Sequence, residues 1–353
     1  MATIRDVALL AGVSPATVSR VLNGNYPVKA ETRVIVENAI KALDFHPNII
    51  GRSLSAHTKK TIFVVASTAL SEMFTRVLHG INVTTAQNGY EFLMTILDNS
   101  GTQDLKNNWN RCARHIEDGL VGGVILLGRQ VIETAANGNP ISVPVVQCSE
   151  SSHSFFPNCV SYDNRRAFYD LTNQLIRQGF RRFGFLLSRK ETENAPSEFS
   201  IERLEGMKKA LSEHGIPYDP ELTICCIQHS DTYGLTTFSD TTEATHKYMD
   251  MRPEQRPDIL LCSYDAIAIS CINEFQRAGL QIPRDIGIAG FDNVSAALLP
   301  RPQLTSVQPP SFEMGVEAAR LLIALMSGER TGGLTIQLPY IIYERGSTNP
   351  SLA

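Results

Sequence analysis

From Thr61 onward, short apolar runs alternate with amphipathic stretches of helical length, and this alternation constrains the chain more than any other feature. The runs are Ile62 to Ala66, Phe92 to Leu97, Val121 to Leu127, Val143 to Cys148, Phe183 to Leu187, Leu222 to Ile227, Ile259 to Cys262 and Ile286 to Ala289. Helical patterns near residues 74–88, 165–178, 201–214 and 266–278 lie between many of them. Strands that are apolar at consecutive positions need cover on both faces, the condition met in a parallel sheet with helices above and below. The expected body is therefore a doubly wound α/β fold, and such folds bind ligands beyond the carboxyl ends of their strands. Roughly 280 residues suffice for two such lobes with a cleft between them.

The first sixty residues have a different texture. Ile4, Val7, Ala8 and Ala11 recur at helical spacing behind Thr3, a residue suited to cap a helix, and Gly12 ends the run. Ser14-Pro15 opens a second helix with an N-cap serine and a proline at the first position, where its missing N–H costs nothing. Val18, Val21 and Leu22 share one face of it; Asn23-Gly24-Asn25 supplies a turn, and a third helix runs from Ala30 to Leu43 with Val36, Ala39, Ile40 and Leu43 inward. Two short helices joined by a tight turn at Gly12-Val13 have the form of a helix-turn-helix, whose second helix can enter a DNA major groove. Its outward residues Pro15, Ala16, Thr17, Ser19 and Arg20 are then candidates to meet base edges, Arg20 having the fork that suits guanine. Thr3, Ser14, Asn23, Asn25, Tyr26 and Lys29 flank them as candidate phosphate or edge contacts. Periodicity alone leaves open a docking module in place of a DNA reader.

Charge follows the same division. The 353-residue chain carries −4 overall, yet residues 1–60 hold eight Lys or Arg against four acids, which leaves −8 on the remainder. A basic head on an acidic body is the expected arrangement. No apolar run approaches the roughly 18 residues of a membrane span, and the N-terminus lacks the features of a secretory signal. The seven cysteines include no C-x-x-C pair, only the adjacent Cys225 and Cys226, and reduced thiols in a cytoplasmic protein are expected. No G-x-G-x-x-G, P-loop, G-x-S-x-G, H-E-x-x-H or zinc spacing is present, and no enzyme activity, metal or cofactor is expected.

The words themselves carry a family resemblance. Thr3-Ile4-Arg5-Asp6-Val7-Ala8, then Ala11 to Gly24, with Glu31-Thr32-Arg33, Phe45-His46-Pro47-Asn48 and Arg52-Ser53-Leu54, resemble the LacI-family helix-turn-helix and hinge. Asp118-Gly119, Asp163-Asn164, Gly279 to Asp285, Gly290-Phe291-Asp292-Asn293, Pro302 to Val307 and Glu344 to Thr348 extend the resemblance over the body, where periplasmic sugar-binding proteins are also similar. The resemblance implies a small all-α helix-turn-helix head (residues 1–47), a hinge helix and linker (48–60) and an α/β two-lobed periplasmic-binding-protein-like body (61–353). The body is expected to be discontinuous, with crossovers near 162, 291 and 321.

It further implies a homodimeric repressor on a palindromic double-stranded operator, with Leu54 wedged into the minor groove. A small-molecule effector, a sugar or sugar phosphate, is expected in the cleft; nucleobases and a phosphoprotein corepressor stay open as alternatives. Arg203 and Asp292 are the implied effector contacts, with Phe74, Asp163 and Asp265 beside them. The chain departs from the family pattern at Gly51, where alanine is usual and glycine costs a helix about 1 kcal/mol. It departs again at Arg165-Arg166 and at Tyr264, where small residues and asparagine are common.

Overall fold

The computed structural model describes residues 2–23, 28–45, 60–67, 71–97, 102–138, 140–149, 154–190, 195–230, 236–239 and 241–352. They fall in two compact units, Met1–Lys60 and Thr61–Ala353. In the first, α1 (Ile4–Leu10), α2 (Pro15–Asn23) and α3 (Ala30–Ala42) surround a small core of Val7, Ala8, Val18, Val21, Val36, Ala39 and Phe45. Thr3 and Asp6 cap α1 reciprocally: the Thr3 hydroxyl accepts from the Asp6 N–H at 3.4 Å while the Asp6 carboxylate accepts from the Thr3 N–H at 2.7 Å. That bonding holds the Asp6 carboxyl below its ordinary pKa. Gly12 turns the chain at φ 65°, and the Ser14 hydroxyl then accepts from the Thr17 N–H at 3.1 Å to start α2.

The second unit contains two sheets. Lobe 1 is built on β1 (Thr61–Ser67), β2 (Glu91–Leu97), β3 (Gly123–Leu127), β4 (Val145–Cys148), β5 (Asn158–Ser161) and β12 (Leu334–Gln337), in the order β12-β5-β4-β3-β1-β2 and all parallel. Lobe 2 is built on β6 (Phe183–Lys190), β7 (Thr223–Ser230), β8 (Thr236–Ser239), β9 (Ile259–Cys262), β10 (Gly287–Phe291), β11 (Thr305–Gln308) and β13 (Ile341–Tyr343), in the order β13-β11-β10-β9-β6-β7-β8. Its two edge strands, β8 and β13, run antiparallel to their neighbours. Both faces of the central strands are buried, as their unbroken apolar runs require. On β1, Ile62, Val64 and Ala66 join one apolar cluster while Phe63 and Val65 join another with Trp109; on β9, Ile259 and Leu261 part from Leu260 and Cys262 in the same way.

Helices cover these faces: α4 (Glu72–Gln87), α5 (Thr102–Glu117) and α6 (Arg129–Ala136) in lobe 1, and α7 (Asn164–Gln178), α8 (Glu198–Glu213), α9 (Thr241–Asp250) and α10 (Asp265–Arg277) in lobe 2. The chain crosses between sheets near 162, near 309 and near 339, so the expected crossings at 291 and 321 are corrected. The reason is pairing and packing. β10 and β11 are neighbours in lobe 2, with Ala289 opposite Thr305, which keeps residues 291–308 in that lobe. The helix that follows, α11 (Ser311–Met326), lies on α4 of lobe 1 at backbone distance. A Cβ on Gly315 would sit 2.0 Å from the Val77 carbonyl oxygen, and one on Gly80 would sit 2.2 Å from that of Phe312. In lobe 2, Gly206 of α8 lies equally close to the Arg165 carbonyl of α7. No helix among the described residues is long and apolar enough to cross a membrane.

Candidate operator-reading face and effector cleft

Most of the head's described candidates are exposed. Thr3, Ser14, Pro15, Ala16, Arg20 and Lys29 are exposed and Thr17 is half-buried, while the inward side of α2 is committed to the core through Val18 and Val21. The Thr17 and Ser14 hydroxyls lie 2.9 Å apart, so both take part in the helix start that orients the exposed residues. Asn25, Tyr26 and Leu54, and the side chain of Asn23, lie outside the described residues.

Of the body's candidates, Asp163, Asp265 and Asp292 lie just beyond the carboxyl ends of β5, β9 and β10. Arg203, on α8, is fully buried. Its Nε donates to Asn164 Oδ1 at 2.9 Å and its Nη1 donates to the Ser263 carbonyl oxygen. Its guanidinium carbon lies 3.6 Å from the centre of the Phe291 ring and 5.0 Å from that of Tyr264, so aromatic faces flank it. Phe291 in turn stacks on Tyr162 and Phe168. Asp292 follows Phe291 directly and is half-buried, and both it and Asn293 hold positive φ, 106° and 46°. Consecutive non-glycine residues in that region are strained, and such strain is retained where surrounding bonds over-determine it.

Those bonds form a lattice around the turn. The Asn293 N–H donates to the Ser306 hydroxyl at 3.0 Å, Asn293 Nδ2 donates to Gln308 at 2.8 Å, and Asn293 Oδ1 accepts from Arg345 at 2.7 Å. Asp265 is buried behind the turn with both oxygens engaged, one by the Ser306 hydroxyl at 2.6 Å and the other by the Val294 N–H at 2.9 Å. Burial pushes its pKa up to about 7, against the opposing pull of those two donors and of the Arg345 and Arg203 charges. Asp265 thus braces the turn that presents Asp292. Asp163 caps α7, accepting from the Arg166 N–H at 2.8 Å, and keeps a half-buried position. Phe74 is only 6% exposed and packs into the core cluster that contains Ile62, Phe168 and Phe291.

Lobe 1 reaches this turn directly. Glu72 accepts from the Ser295 N–H at 2.8 Å and from the Ser295 hydroxyl at 2.9 Å, and Arg76 joins Glu72 at 2.6 Å and the Asn293 carbonyl at 3.3 Å. Burial alone would raise the Glu72 pKa, but Ser295 and Arg76 outweigh it and hold the carboxyl below its ordinary value. A further tie between lobes joins Arg129 of α6 to Glu198 of α8. Glu72 and Arg76 did not stand out in the sequence, and Asn293 and Arg345 entered only as letters of the quoted motifs, with no role assigned. The Glu72–Arg76 spacing is readable as an i,i+4 pair, but its partners lie 217 and 223 residues away. Among the described residues no group of three or more His, Cys, Asp or Glu is placed to hold a metal.

Comparison with known proteins agrees with this geometry. Residues 3–48 match the profile of bacterial regulatory proteins of the lacI family, and residues 172–348 match the periplasmic binding protein-like domain. The chain is 30% identical to the HTH-type transcriptional repressor CytR of Escherichia coli (strain K12) over 98% of its own length and 96% of the relative's. It is also 30% identical to catabolite control protein A of Staphylococcus epidermidis, over 98% and 99%. A lac repressor dimer bound to operator and the anti-inducer ONPF has the same fold, with a TM-score of 0.80 at 22% identity, covering 98% of this chain and 99% of that one. The transcriptional regulator CelR in complex with cellobiose aligns with a TM-score of 0.65 at 25% identity, over 98% and 100%. The chain belongs to the LacI family of bacterial regulatory proteins, and it is a DNA-binding transcription regulator with an effector-sensing body.

Proposed function

We propose that the protein represses genes of carbohydrate uptake or catabolism as a cytoplasmic homodimer, works by binding alone, and releases or holds its operator according to a small molecule in the cleft. The two heads read half-sites of a near-palindromic operator through Arg20, Ala16, Thr17 and Pro15, with Leu54 as the minor-groove wedge between them. Arg203, Asp292 and Asp163 contact a sugar or sugar phosphate, guanidinium and carboxylate gripping hydroxyls or a charged group. The observation that carries the reading is the turn beside Asp292. It is bonded to lobe 1 through Glu72 and Arg76 and to the body of lobe 2 through Asp265 and Arg345, so a ligand pulling on Asp292 pulls on both lobes. A relative named as bound to cellobiose supports a carbohydrate as the ligand class.

Two exposed apolar features support the homodimer. β2 is one edge strand of the lobe 1 sheet and shows Leu93, Met94 and Ile96 to solvent, and Leu298 and Leu299 are exposed on lobe 2, Leu299 by 77%. Edge strands of this kind invite pairing, and a second copy covers them. The test is a footprint on DNA from upstream of the protein's own gene, at fixed salt, with a panel of sugars and sugar phosphates. A protected near-palindrome whose occupancy changes with one compound is the expected result; tight binding indifferent to every compound would reject the carbohydrate reading.

A further inference from the structure

Lobe 2 has a crevice of about 430 Å³ at the end of its sheet opposite the cleft, where β6, β9 and β10 begin. That volume is in the range of small-molecule sites. Its floor is apolar and well packed, with Tyr248, Phe275 and Ile286 all buried, and the Tyr248 hydroxyl is already satisfied by the Leu222 carbonyl at 2.8 Å. Around the rim stand Arg182, Arg256 and Arg284, with Asp258 and Asp285.

The charges here are not arranged as ion pairs. Asp258 spends its oxygens on the backbone N–H groups of Arg181 and Arg182 at 2.8 and 2.9 Å, and Asp285 accepts from the Gln281 N–H at 2.7 Å. The acids therefore pin the backbone that carries Arg182 and Arg284 and leave the guanidiniums alone. Arg182 makes no side-chain hydrogen bond or ion pair among the described residues. Arg284 reaches only Gln281 at 3.3 Å, and Arg256 donates to the carbonyls of Met249 and Met251 through Nε and Nη2, which leaves its Nη1 edge. Elsewhere in the body Arg76, Arg129, Arg165, Arg166, Arg252, Arg277 and Arg320 each have a carboxylate, whereas Arg111, Arg181, Arg301 and Arg345 reach amide or carbonyl oxygens and none of these four lines the crevice. Three guanidiniums gathered on one concavity without a carboxylate partner form an oxyanion cradle in a body whose net charge is negative, and the planar guanidinium fork suits phosphate oxygens.

We propose that this crevice is a second ligand site, separate from the cleft, for a small organic phosphate: Arg182, Arg284 and the free edge of Arg256 take the phosphate oxygens, and the apolar floor takes the carbon skeleton. The probe is pyrophosphate, titrated calorimetrically into the full-length protein at constant ionic strength. The comparison is with R182Q/R284Q, two exposed positions whose loss leaves the core intact. Saturable binding is expected at millimolar pyrophosphate or below, with a rise in melting temperature. In the double variant the affinity should fall about tenfold or more, while operator and effector binding stay at wild-type strength. No saturable binding, or saturable binding that the double variant keeps within fivefold, would overturn the proposal, since the anion would then sit in the cleft or nowhere specific.

Discussion

On the proposed assignments, the head and the cleft solve recognition in opposite ways. The reading face of α2 is exposed, and the residues that hold the helix, Val18 and Val21, are not the residues that face outward. In the cleft, the residue proposed to contact the effector is also part of the scaffold: Arg203 is fully buried, bonded to Asn164 and Ser263, and flanked by Phe291 and Tyr264. The difference teaches that specificity for DNA can change with little cost in stability, whereas a change of effector must also rebuild a core.

The largest expected effect follows from that contrast. Arg203→Ala leaves two buried acceptors without their donors and should cost about 2–4 kcal/mol in urea unfolding while abolishing the effector response. A stable variant that merely binds effector less well would break the comparison. Arg20→Ala should cost about 1–3 kcal/mol of discrimination at one operator base pair, with an unchanged melting temperature. Uniform weakening on all sequences would make Arg20 a phosphate contact instead.

The same logic grades the groups between these extremes. Glu72→Gln keeps the acceptor for Ser295 but removes the charge beside Arg76, and should lower stability by about 1 kcal/mol and reduce the effector's influence on operator affinity. Because the Glu72 pKa is depressed in the folded protein, its contribution is present at neutral pH and lost as pH falls through that lowered value. Acid unfolding profiles identical in wild type and variant would contradict this. Asp265→Asn is read through the pH dependence of stability. The Asp265 carboxyl titrates near 7 when folded against an ordinary 3.8, so folding takes up a proton between those values and stability falls as pH rises through the window. The amide substitution should flatten that slope, its Oδ1 keeping the Val294 N–H while its Nδ2 donates to the Ser306 hydroxyl in place of accepting from it; an unchanged slope would assign it to another group.

Much of this was legible in the sequence, for identifiable reasons. The eight apolar runs all became strands, those in the middle of the sheets because central parallel strands are apolar on both faces and the run at β2 although it lies at an edge, and the caps at Thr3 and Ser14 are local chemistry. β5, β8, β11, β12 and β13 were not legible: each spans three or four residues, and β12 owes its place to β5, with Leu334 opposite Asn158. α11 escaped for a related reason, since its docking on α4 depends on glycines at 80 and 315. In the cleft, Arg203 and Asp292 came through the family resemblance. Their surroundings did not, because Asn164 and Ser263 are 39 and 60 residues from Arg203 and no local pattern announces the contact. For Asp265 the structure adds what the sequence could not show, the bonds of its two oxygens to Ser306 and Val294.

The central claim is that one protein couples an operator-reading head to an effector in the cleft, and coupling of this kind is reciprocal. The most direct measurement is a closed cycle: operator affinity with and without the effector found by footprinting, and effector affinity with and without operator, in one buffer. The account predicts the same factor on both sides of the cycle, different from one, and a factor driven toward one in Glu72→Gln. Specific operator binding with a factor of one in the wild type would contradict it.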